Sequence, residues 1–294
     1  MNKKGLTMTF VIEAESANYG EGVGNVTSLK KLTRGNGESY TYISRQALRY
    51  NIIEQMGVDN TPLGLAGSVI QFASDATIKD YPEIDLFGYM KTNKDTKTRA
   101  AVARLSNAVA LESFQADTDF LTNKGLFDRY QAAHTDEAEK RSGGNIAQSE
   151  IHHAYYSYTL TVDLDQVGVD TNDHIDLSTA EKSSRVQRLV DTLKFLYRDI
   201  KGRRENLSPI FAIGGVYDIK NPFFENRIRV RKNNLQIQAI QDVLTLDPTV
   251  KEQTSCGIVA GIFGNDQEIK QQLGAGSIGQ FFSHIKEQIQ VAYE

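Results

Sequence analysis

Alternating apolar and polar positions predict where the strands of this chain lie. Apolar residues occupy every second position from Leu6 to Ala14, which predicts a half-buried strand. The clearest alternation runs over residues 154–164 and predicts a second amphipathic strand, whereas the nearly continuous apolar run 210–217 predicts a buried one. Further strands are predicted at 40–43, behind a Gly35-Asn36-Gly37 turn, at 227–231 and at 257–263.

Apolar positions spaced three and four residues apart predict the helices. The first helix begins after Ser44, a favourable N-cap, and ends near Met56, where Gly57 is a favourable C-cap. The same spacing predicts a helix over residues 186–200 that Gly202 ends. Two more helices are predicted, at 235–244 and at 278–289.

The order of these elements predicts an α+β fold. Strand, helix, insertion, strand, helix and strand is the order of a ferredoxin-like (RRM-like) unit with an antiparallel sheet. Residues 1–57 and 152–294 would form this core, and residues 58–151 an insertion. Within the insertion, 104–111 fit a strand or a helix, 91–99 an exposed basic loop or arm, and 131–145 a mobile connection. The 294 residues could form one large domain or two small ones.

Composition restricts the class of protein. The 40% hydrophobic and 24% charged residues are typical of a globular chain and argue against wholesale disorder. The single cysteine, Cys256, lies in an apolar run and is predicted to be buried. One cysteine forms no intrachain disulfide, which suits a reducing cytoplasm. Since no run approaches the roughly 20 apolar residues of a membrane span, the sequence predicts a cytoplasmic protein without a membrane partner.

The distribution of charge is more informative than its sum. The net charge of −4 argues weakly against nucleic acid as a partner. However, residues 26–53 carry five cations and one acid, and residues 227–232 carry four cations and no acid. Acids gather instead between residues 112 and 139. This segregation suits a basic groove for nucleic acid, and equally an acidic flank that meets a basic neighbour.

The segment from Asn18 to Arg49 holds the strongest candidate site. Three glycines within five residues, a group of cations and a helix N-terminus each favour phosphate for a separate physical reason. Arg45 and Arg49 are predicted to share the helix face of Leu48 and to reach into a cleft at the sheet edge. Strand 227–231 and the end of the helix near residue 203 predict a second basic cluster. The candidate phosphate contacts are Lys30, Lys31, Arg34, Ser44, Arg45, Gln46, Arg49, Arg203, Arg204, Arg227 and Arg229, and the candidates for base stacking are Tyr19, Tyr40 and Tyr42.

No catalytic or metal-binding motif stands out. Asn25 takes the place of the third glycine in G-x-G-x-x-G, which disfavours a dinucleotide site, although a glycine loop that only turns the chain remains an alternative. His152 and His153 are adjacent, so in a strand they face opposite sides. Asp163 and Asp165 could bind Mg²⁺ or perform acid–base chemistry, or lie solvated at a strand end. The sequence predicts no cofactor, no metal and no enzymatic activity.

Several motifs together resemble one known family. The run NYGEGVGN…LKKL…GESYTYISRQALRY near the start of the chain is similar to the backbone subunit of the CRISPR Cascade complex of the DevR type (RAMP superfamily, DevR/Cst), found in type I-B systems. The motifs DLFGYM (85–90), ARLSNAVALE (103–112) and HHAYYSYTLTVDLDQVG (152–168) follow in the order of that family. They cover most of the chain, and their combination is specific.

This resemblance implies a fold, a function and a set of contacts. It implies a ferredoxin-like palm with inserted finger and thumb elements, and a non-catalytic subunit that stacks in several copies along the guide RNA (crRNA). The expected partners are crRNA, the target DNA strand paired to it, further copies of the chain and other Cascade subunits. An arm of each copy would push one nucleotide out of the stack, with 91–99 and 170–184 as candidates. The residues that grip the guide backbone would be Asn18, Tyr19, Lys30, Ser44, Arg45, Gln46 and Arg49.

Two other functions stay open at this point. The first is an endoribonuclease of the same superfamily, which would cut CRISPR RNA with a histidine or with a metal held by Asp163 and Asp165. The second is a regulator that binds DNA directly. Cleavage of precursor RNA would indicate the first function, and competition between duplex DNA and single-stranded RNA would indicate the second.

Overall fold

The computed structural model describes residues 4–15, 17–92, 95–134 and 146–294. Within them the chain forms 23 strands, eight α-helices and a short 3-10 helix. The strands are β1 (Gly5–Ala14), β2 (Tyr19–Val23), β3 (Val26–Leu29), β4 (Lys31–Thr33), β5 (Ser39–Ile43), β6 (Leu63–Ala66), β7 (Val69–Phe72), β8 (Tyr89–Thr92), β9 (Thr96–Arg99), β10 (Ala103–Leu105), β11 (Ala108–Ala110), β12 (Asp117–Thr122), β13 (Ile146–Ile151), β14 (Ala154–Asp163), β15 (Val169–Asp170), β16 (Ile175–Asp176), β17 (Tyr197–Ile200), β18 (Arg203–Asn206), β19 (Phe211–Tyr217), β20 (Val230–Arg231), β21 (Asn234–Leu235), β22 (Ser255–Ile258) and β23 (Gly276–Ser277). The helices are α1 (Arg45–Met56), α2 (Pro82–Phe87), α3 (Lys124–Ala133), α4 (Thr179–Lys194), α5 (Gln238–Leu244), α6 (Pro248–Gln253), α7 (Asp266–Leu273) and α8 (Ile278–Tyr293), and the 3-10 helix is Leu164–Gln166.

A sheet of nine strands forms the centre of the described structure. Its order is β23–β22–β19–β1–β14–β11–β5–β4, and β10 pairs with β14 beside β11. β1 lies between β14 and β19 and is antiparallel to both, with Gly5 opposite Asp163 on one side and Tyr217 on the other. β22 and β23 pair in parallel. The mixed fold of helices and sheets is confirmed, with antiparallel pairing around the first strand.

β1 is buried on both of its faces, so the prediction of a half-buried strand is wrong. Phe10 and its neighbours two residues away face the helices. Val11, on the other face, packs with Phe224 and Ile228 from the segment after β19. Thr9 is also on this face and is fully buried, with its hydroxyl 2.8 Å from that of Thr159. The alternation of the sequence is real, but a distant segment covers the polar side.

Three helices cover the face of the sheet that contains Phe10. Phe281 and Phe282 of α8 lie against Phe10, with ring centroids 6.5 and 6.1 Å away. α4 contacts both α8 and α1. The positions predicted for α1, β14, β19 and α8 are confirmed.

The helix predicted over 186–200 is α4, but it begins at Thr179 and ends at Lys194. The following residues form the hairpin of β17 and β18, and Gly202 lies in its turn with φ 78°, not at a helix end. Gln55 of α1 holds this hairpin, since its side-chain amide bonds both the N–H and the C=O of Tyr197, at 3.1 and 2.5 Å. Tertiary pairing therefore overrides the helical spacing here.

The glycine-rich segment is a hairpin and not an open loop. β2 and β3 pair across a turn at Gly24, whose φ of 60° suits glycine. β3 then joins β13 and β12 in a second sheet. The predicted Gly35–Gly37 turn is confirmed between β4 and β5, where the Arg34 N–H bonds the Glu38 C=O at 3.1 Å.

The strand predicted over 227–231 is wrong in its length. Asn226 has a left-handed φ of 60°, and only Val230–Arg231 pair in a strand, with Asn234–Leu235. The side chains still alternate, because Ile228 is buried while Arg227 and Arg229 are exposed.

The segment between α1 and β14 combines hairpins with strands of the central sheet. Within 91–99, predicted as an exposed loop or arm, Lys91 and Thr92 belong to β8 and Thr96–Arg99 form β9, and Lys91 is buried. Residues 104–111 contribute to β10 and β11 of the central sheet. α3 covers 131–133, and 135–145 lie outside the described residues. The division into a core and an insertion otherwise stays a prediction.

The last predictions concern the C-terminal third. The helix predicted over 235–244 begins at Gln238, and the strand predicted over 257–263 is Ser255–Ile258. Cys256 is buried as predicted, and burial raises the pKa of its thiol. None of the described helices is long and apolar enough to cross a membrane.

Candidate nucleic-acid interface

The first turn of α1 is capped by three side chains. Ser44 is the predicted N-cap, and its Oγ accepts from the Ala47 N–H at 3.2 Å. The Oδ1 of Asn18 accepts from the Ser44 N–H at 2.5 Å, and the Oδ1 of Asn107 accepts from the Arg45 N–H at 2.9 Å. Most donors that a helix N-terminus offers to a phosphate are therefore already bonded. The N-terminus of α1 therefore offers fewer free N–H donors to a phosphate than the sequence predicted.

Asn18 also joins the strands beside this helix. Its C=O accepts from the Lys30 N–H at 2.7 Å, and its N–H donates to the Tyr42 C=O at 3.1 Å. The structure thus brings Asn18, Lys30 and Ser44 together. We call Asn18, Lys30, Ser44, Arg45, Gln46 and Arg49 the helix-start cluster.

The arginines of α1 do not share its buried face, contrary to the prediction. Leu48 is buried, whereas Arg45, Gln46 and Arg49 are exposed. A helix turns by about 100° per residue, so Arg49 lies at the border of the stripe that contains Leu48. The Arg49 guanidinium is 5.5 Å from the centre of the Phe87 ring.

A groove opens beside the exposed face of α1. It has a volume of about 430 Å³ and runs between the helix and the β6–β7 hairpin. Its lining includes Gln46, Arg49 and Tyr50 from α1, and Leu63 and Phe72 from the hairpin. Three carboxylates also line it, those of Glu54, Asp59 and Glu83. Charged and apolar side chains therefore face the same groove.

A second cluster forms where the β4–β5 turn meets the segment after β19. The Arg34 guanidinium lies over the Tyr40 ring, 4.1 Å from its centre. Although Arg229 is exposed, partial loss of water around its guanidinium and the neighbouring guanidinium groups of Arg34 and Arg227 lower its pKa. Among the described residues, no carboxylate makes an ion pair with these three arginines. We call Arg34, Tyr40, Arg227 and Arg229 the turn cluster.

Three of the predicted cations are neutralised inside the protein. Lys31 pairs with Glu150 at 2.5 Å. Arg204 pairs with Asp199 at 2.9 Å, which raises the pKa of the arginine. Arg203 also has carboxylate partners, one of which, Glu205, is at 2.6 Å. Lys31, Arg203 and Arg204 therefore each have a carboxylate partner within the protein, and their contact with RNA stays a prediction.

Tyr19 has a cation over its ring that comes from a distant hairpin. The Nζ of Lys201 is 4.5 Å from the ring centre and 3.4 Å from the Ser149 hydroxyl. Lys201 has a left-handed φ of 51° in the β17–β18 turn. The structure therefore joins Lys201 to the glycine-rich hairpin, which the sequence pattern did not indicate.

The two clusters lie at opposite ends of β5. The β4–β5 turn precedes this strand and Ser44 follows it. Five strand residues at about 3.3 Å each correspond to roughly 17 Å. The single candidate site predicted over Asn18–Arg49 is therefore divided into two clusters.

The catalytic candidates are held in ion pairs. Asp163 pairs with Arg104 at 2.8 Å and with Lys220 at 3.6 Å. Burial is the largest influence on Asp165 and opposes its ionisation, but the hydrogen bond and charge of Lys220 and the hydrogen bond of Gln166 together outweigh it and lower the pKa of the carboxyl. Among the described residues, no group of three or more His, Cys, Asp or Glu side chains could hold a metal ion.

The adjacent histidines face opposite sides, as predicted. His152 is buried, with its Nδ1 2.7 Å from the Thr41 hydroxyl, and burial lowers the pKa of its imidazole. His153 is exposed, with its Nε2 2.9 Å from Glu13. They therefore cannot act on the same ligand.

Comparison with known proteins identifies relatives of this chain. The model of the family described as CRISPR-associated negative auto-regulator DevR/Csa2 matches residues 6–234. A chain of a structure described as a CRISPR RNA-guided surveillance complex, pre-nicking, is similar with a TM-score of 0.63 and 11% identity, over 98% of this chain and 100% of that one. A chain of a second CRISPR RNA-guided surveillance complex has a TM-score of 0.60 and 14% identity, over 98% and 99%. No curated protein sequence matches significantly.

Proposed function

The chain belongs to the CRISPR-associated DevR/Csa2 family, and we propose that it is an RNA-binding backbone subunit of a type I-B CRISPR Cascade surveillance complex. Several copies would stack along the crRNA in the cytoplasm and present its spacer for pairing with target DNA, without catalysing a reaction. Both structural neighbours are chains of RNA-guided surveillance complexes, which supports crRNA and other Cascade subunits as partners.

The observation that carries this proposal is the presence of cations without carboxylate partners. In the described part of the chain, neither Arg45 and Arg49 of the helix-start cluster nor the arginines of the turn cluster form an ion pair. Like charges that crowd together, as around Arg229, cost folding free energy. An external polyanion would offset this cost, and an RNA backbone supplies phosphates regardless of sequence.

The sheet supports a ferredoxin-like palm as the core of this subunit. The four strands β19–β1–β14–β11 have the neighbour order of that fold, in which the last and the third strand flank the first. α1 follows β1 and α4 follows β14, and both lie on the same face of the sheet. We propose that the other hairpins are finger and thumb elements on this palm.

The β6–β7 hairpin suits the arm that would separate stacked nucleotides. Leu65 and Ile70 lie opposite each other on the hairpin, and both are largely exposed, at 72% and 70%. The hairpin is braced because the Gln71 side chain bonds the N–H and the C=O of Thr92, at 2.9 and 2.7 Å. Leu63 of the same hairpin lines the groove with Arg49. An apolar wedge beside a phosphate contact is the arrangement that unstacking requires.

The two earlier arm candidates are less suitable. Residues 91–99 and 170–184 contact each other, since Lys97 pairs with Asp173 at 2.6 Å. Lys91 is also within 3.6 Å of Asp173. The lysines of the first segment are therefore already paired with an aspartate of the second.

Removing the helix-start arginines tests the proposed function. The double variant R45A/R49A is expected to bind single-stranded RNA more weakly, with the slope of log K against log salt reduced by about 0.7 per lost phosphate contact. The effect should be the same for unrelated RNA sequences. Fluorescence anisotropy over a series of salt concentrations measures both quantities.

The matched control is K124A/K286A, which removes two cations already paired with Asp128 and Asp191. It should leave the affinity and the salt slope near those of the wild type. Equal slopes for R45A/R49A and the wild type would contradict the assignment of this cluster.

One observation favours the alternative function of an endoribonuclease. His153 and Glu13 form a pair at 2.9 Å, beside Arg203 in a cavity of about 330 Å³. A histidine and a carboxylate next to a cation could cleave RNA by general acid–base chemistry. Discrete products from precursor RNA that disappear in H153A would support this function and contradict the non-catalytic one.

A further inference from the structure

Asn107 connects β10 to β11 next to the first turn of α1. Its Oδ1 accepts from the backbone N–H of Arg45 at 2.9 Å. A backbone N–H can bond only to an acceptor, so this contact fixes the amide with its oxygen toward the helix and its nitrogen away from that bond. Asn107 therefore offers a donor in a defined direction beside Arg45.

Asn18 is held in the same way at the preceding backbone position. Its Oδ1 accepts from the Ser44 N–H, which leaves its Nδ2 free of that bond. Neither Asn18 nor Asn107 has an acceptor for its Nδ2 among the described residues. Neither Nδ2 is among the buried side-chain atoms of the described residues that have no hydrogen-bond partner. Both Nδ2 atoms are therefore accessible to solvent.

We propose that Asn107 is a further contact for the nucleic-acid backbone: its Nδ2 donates a hydrogen bond to a phosphate oxygen that Arg45 also binds. This inference rests on the proposed function and adds a residue to it. The arginine supplies charge on a flexible stem, whereas the amide supplies a donor whose orientation is set by the protein. The pair would fix where one phosphate lies relative to α1.

A capping role uses only the oxygen of this amide. A carboxylate would accept from the Arg45 N–H as well as an amide oxygen does, and it would interact more favourably with the positive end of the helix dipole. Only an external acceptor makes use of the Nδ2 group. Asn107→Asp keeps the acceptor, removes the donor and adds a negative charge that repels phosphate, so unchanged RNA affinity in this variant would exclude the proposed contact.

The experiment compares N107D with the wild-type chain in thermal unfolding and in binding to single-stranded RNA. N107D should unfold at the same temperature or higher, while its affinity for RNA falls about tenfold or more. The matched control is N206D, because the Oδ1 of Asn206 also accepts from a backbone N–H, that of Ser208, at 2.9 Å. It adds the same charge to a similar cap away from α1 and should bind RNA like the wild type.

Three outcomes would overturn parts of this account, each in a different way. Wild-type affinity in N107D would show that Asn107 is only a cap. A loss on RNA but not on single-stranded DNA of the same sequence would assign the contact to the ribose hydroxyl and not to a phosphate. Failure of the wild-type chain itself to bind RNA would instead contradict the proposed function.

A second measurement does not depend on the folding of a variant. In the amide NMR spectrum of the ¹⁵N-labelled wild-type chain, the side-chain resonances of Asn107 should shift when RNA is added, whereas those of Asn206 should not. Unmoved Asn107 resonances at saturating RNA would overturn the contact.

Discussion

Asp85 lies fully buried at the centre of an ionic network. It accepts from the guanidinium groups of Arg99 and Arg185, at 2.7 and 2.9 Å. It also accepts from the Gly168 N–H at 2.9 Å. Arg185 belongs to α4, so the network ties the segment between α1 and β14 to a helix of the central layer. The network fixes the β8–β9 hairpin, to which the proposed arm is attached through Gln71 and Thr92.

Removing this carboxylate should cost far more than removing an exposed one. D85A leaves the Arg99 guanidinium without its carboxylate partner and leaves Arg185 with Glu181 alone. We expect a loss of about 3–5 kcal/mol in the free energy of unfolding. The control D199A breaks the pair with Arg204, in which both side chains are 65% exposed, and should change the free energy of unfolding little. Urea denaturation measures both values. Similar losses in the two variants would contradict the larger contribution of Asp85 to stability.

At the scale of single residues, the sequence could not show which cations are paired with a carboxylate. Lys31 and Glu150 are 119 positions apart, and Arg203 is 188 positions from Glu15. A count of local cations cannot detect such partners, so it ranks Lys31 and Arg203 equally with Arg45. By contrast, the cap of Ser44 is a local feature, and the sequence predicted it correctly.

At the scale of elements, the β6–β7 hairpin has the most exposed apolar side chains next to the candidate site. The prediction from the sequence gave this stretch no role, because four apolar residues around Gly67 do not stand out from a strand of the core. Its significance appears only when Leu65 and Ile70 are found without a packing partner. Such exposure normally indicates an interaction surface.

The double variant L65S/I70S tests the hairpin as an arm. If the hairpin separates nucleotides, 2-aminopurine placed along a bound RNA should fluoresce strongly at regularly spaced positions, and this pattern should disappear in the variant. The salt dependence of binding should change little, because no cation is removed. V291S, which alters an apolar residue on α8 that is 66% exposed, serves as the control. An unchanged pattern in L65S/I70S would contradict the assignment.

Local spacing predicted elements well where tertiary contacts agree with it. β14 and α8 have one apolar stripe each, and both pack as the stripe indicates. The prediction for α4 ran six residues too far, since the chain after Lys194 pairs as a hairpin held by Gln55. β1 was expected to be half exposed because nothing in its own sequence indicates the segment that covers Thr9. Contacts between distant segments account for both errors.

At the scale of the whole molecule, the proposed stacking requires two complementary surfaces that do not close into a ring. The basic clusters supply one type of surface, at the two ends of β5. β12 supplies another, because it is an edge strand whose six residues are all exposed, with Asp117 and Asp119 among them. The net charge of −4 is therefore compatible with binding a polyanion along one side of each copy.

The most direct test of the proposed function is native mass spectrometry of the chain expressed with and without a CRISPR array. We expect complexes of several copies on one RNA in the presence of the array and none in its absence. The same experiment with R45A/R49A should give fewer copies per RNA. An RNA-free monomer in both wild-type samples would contradict the backbone function.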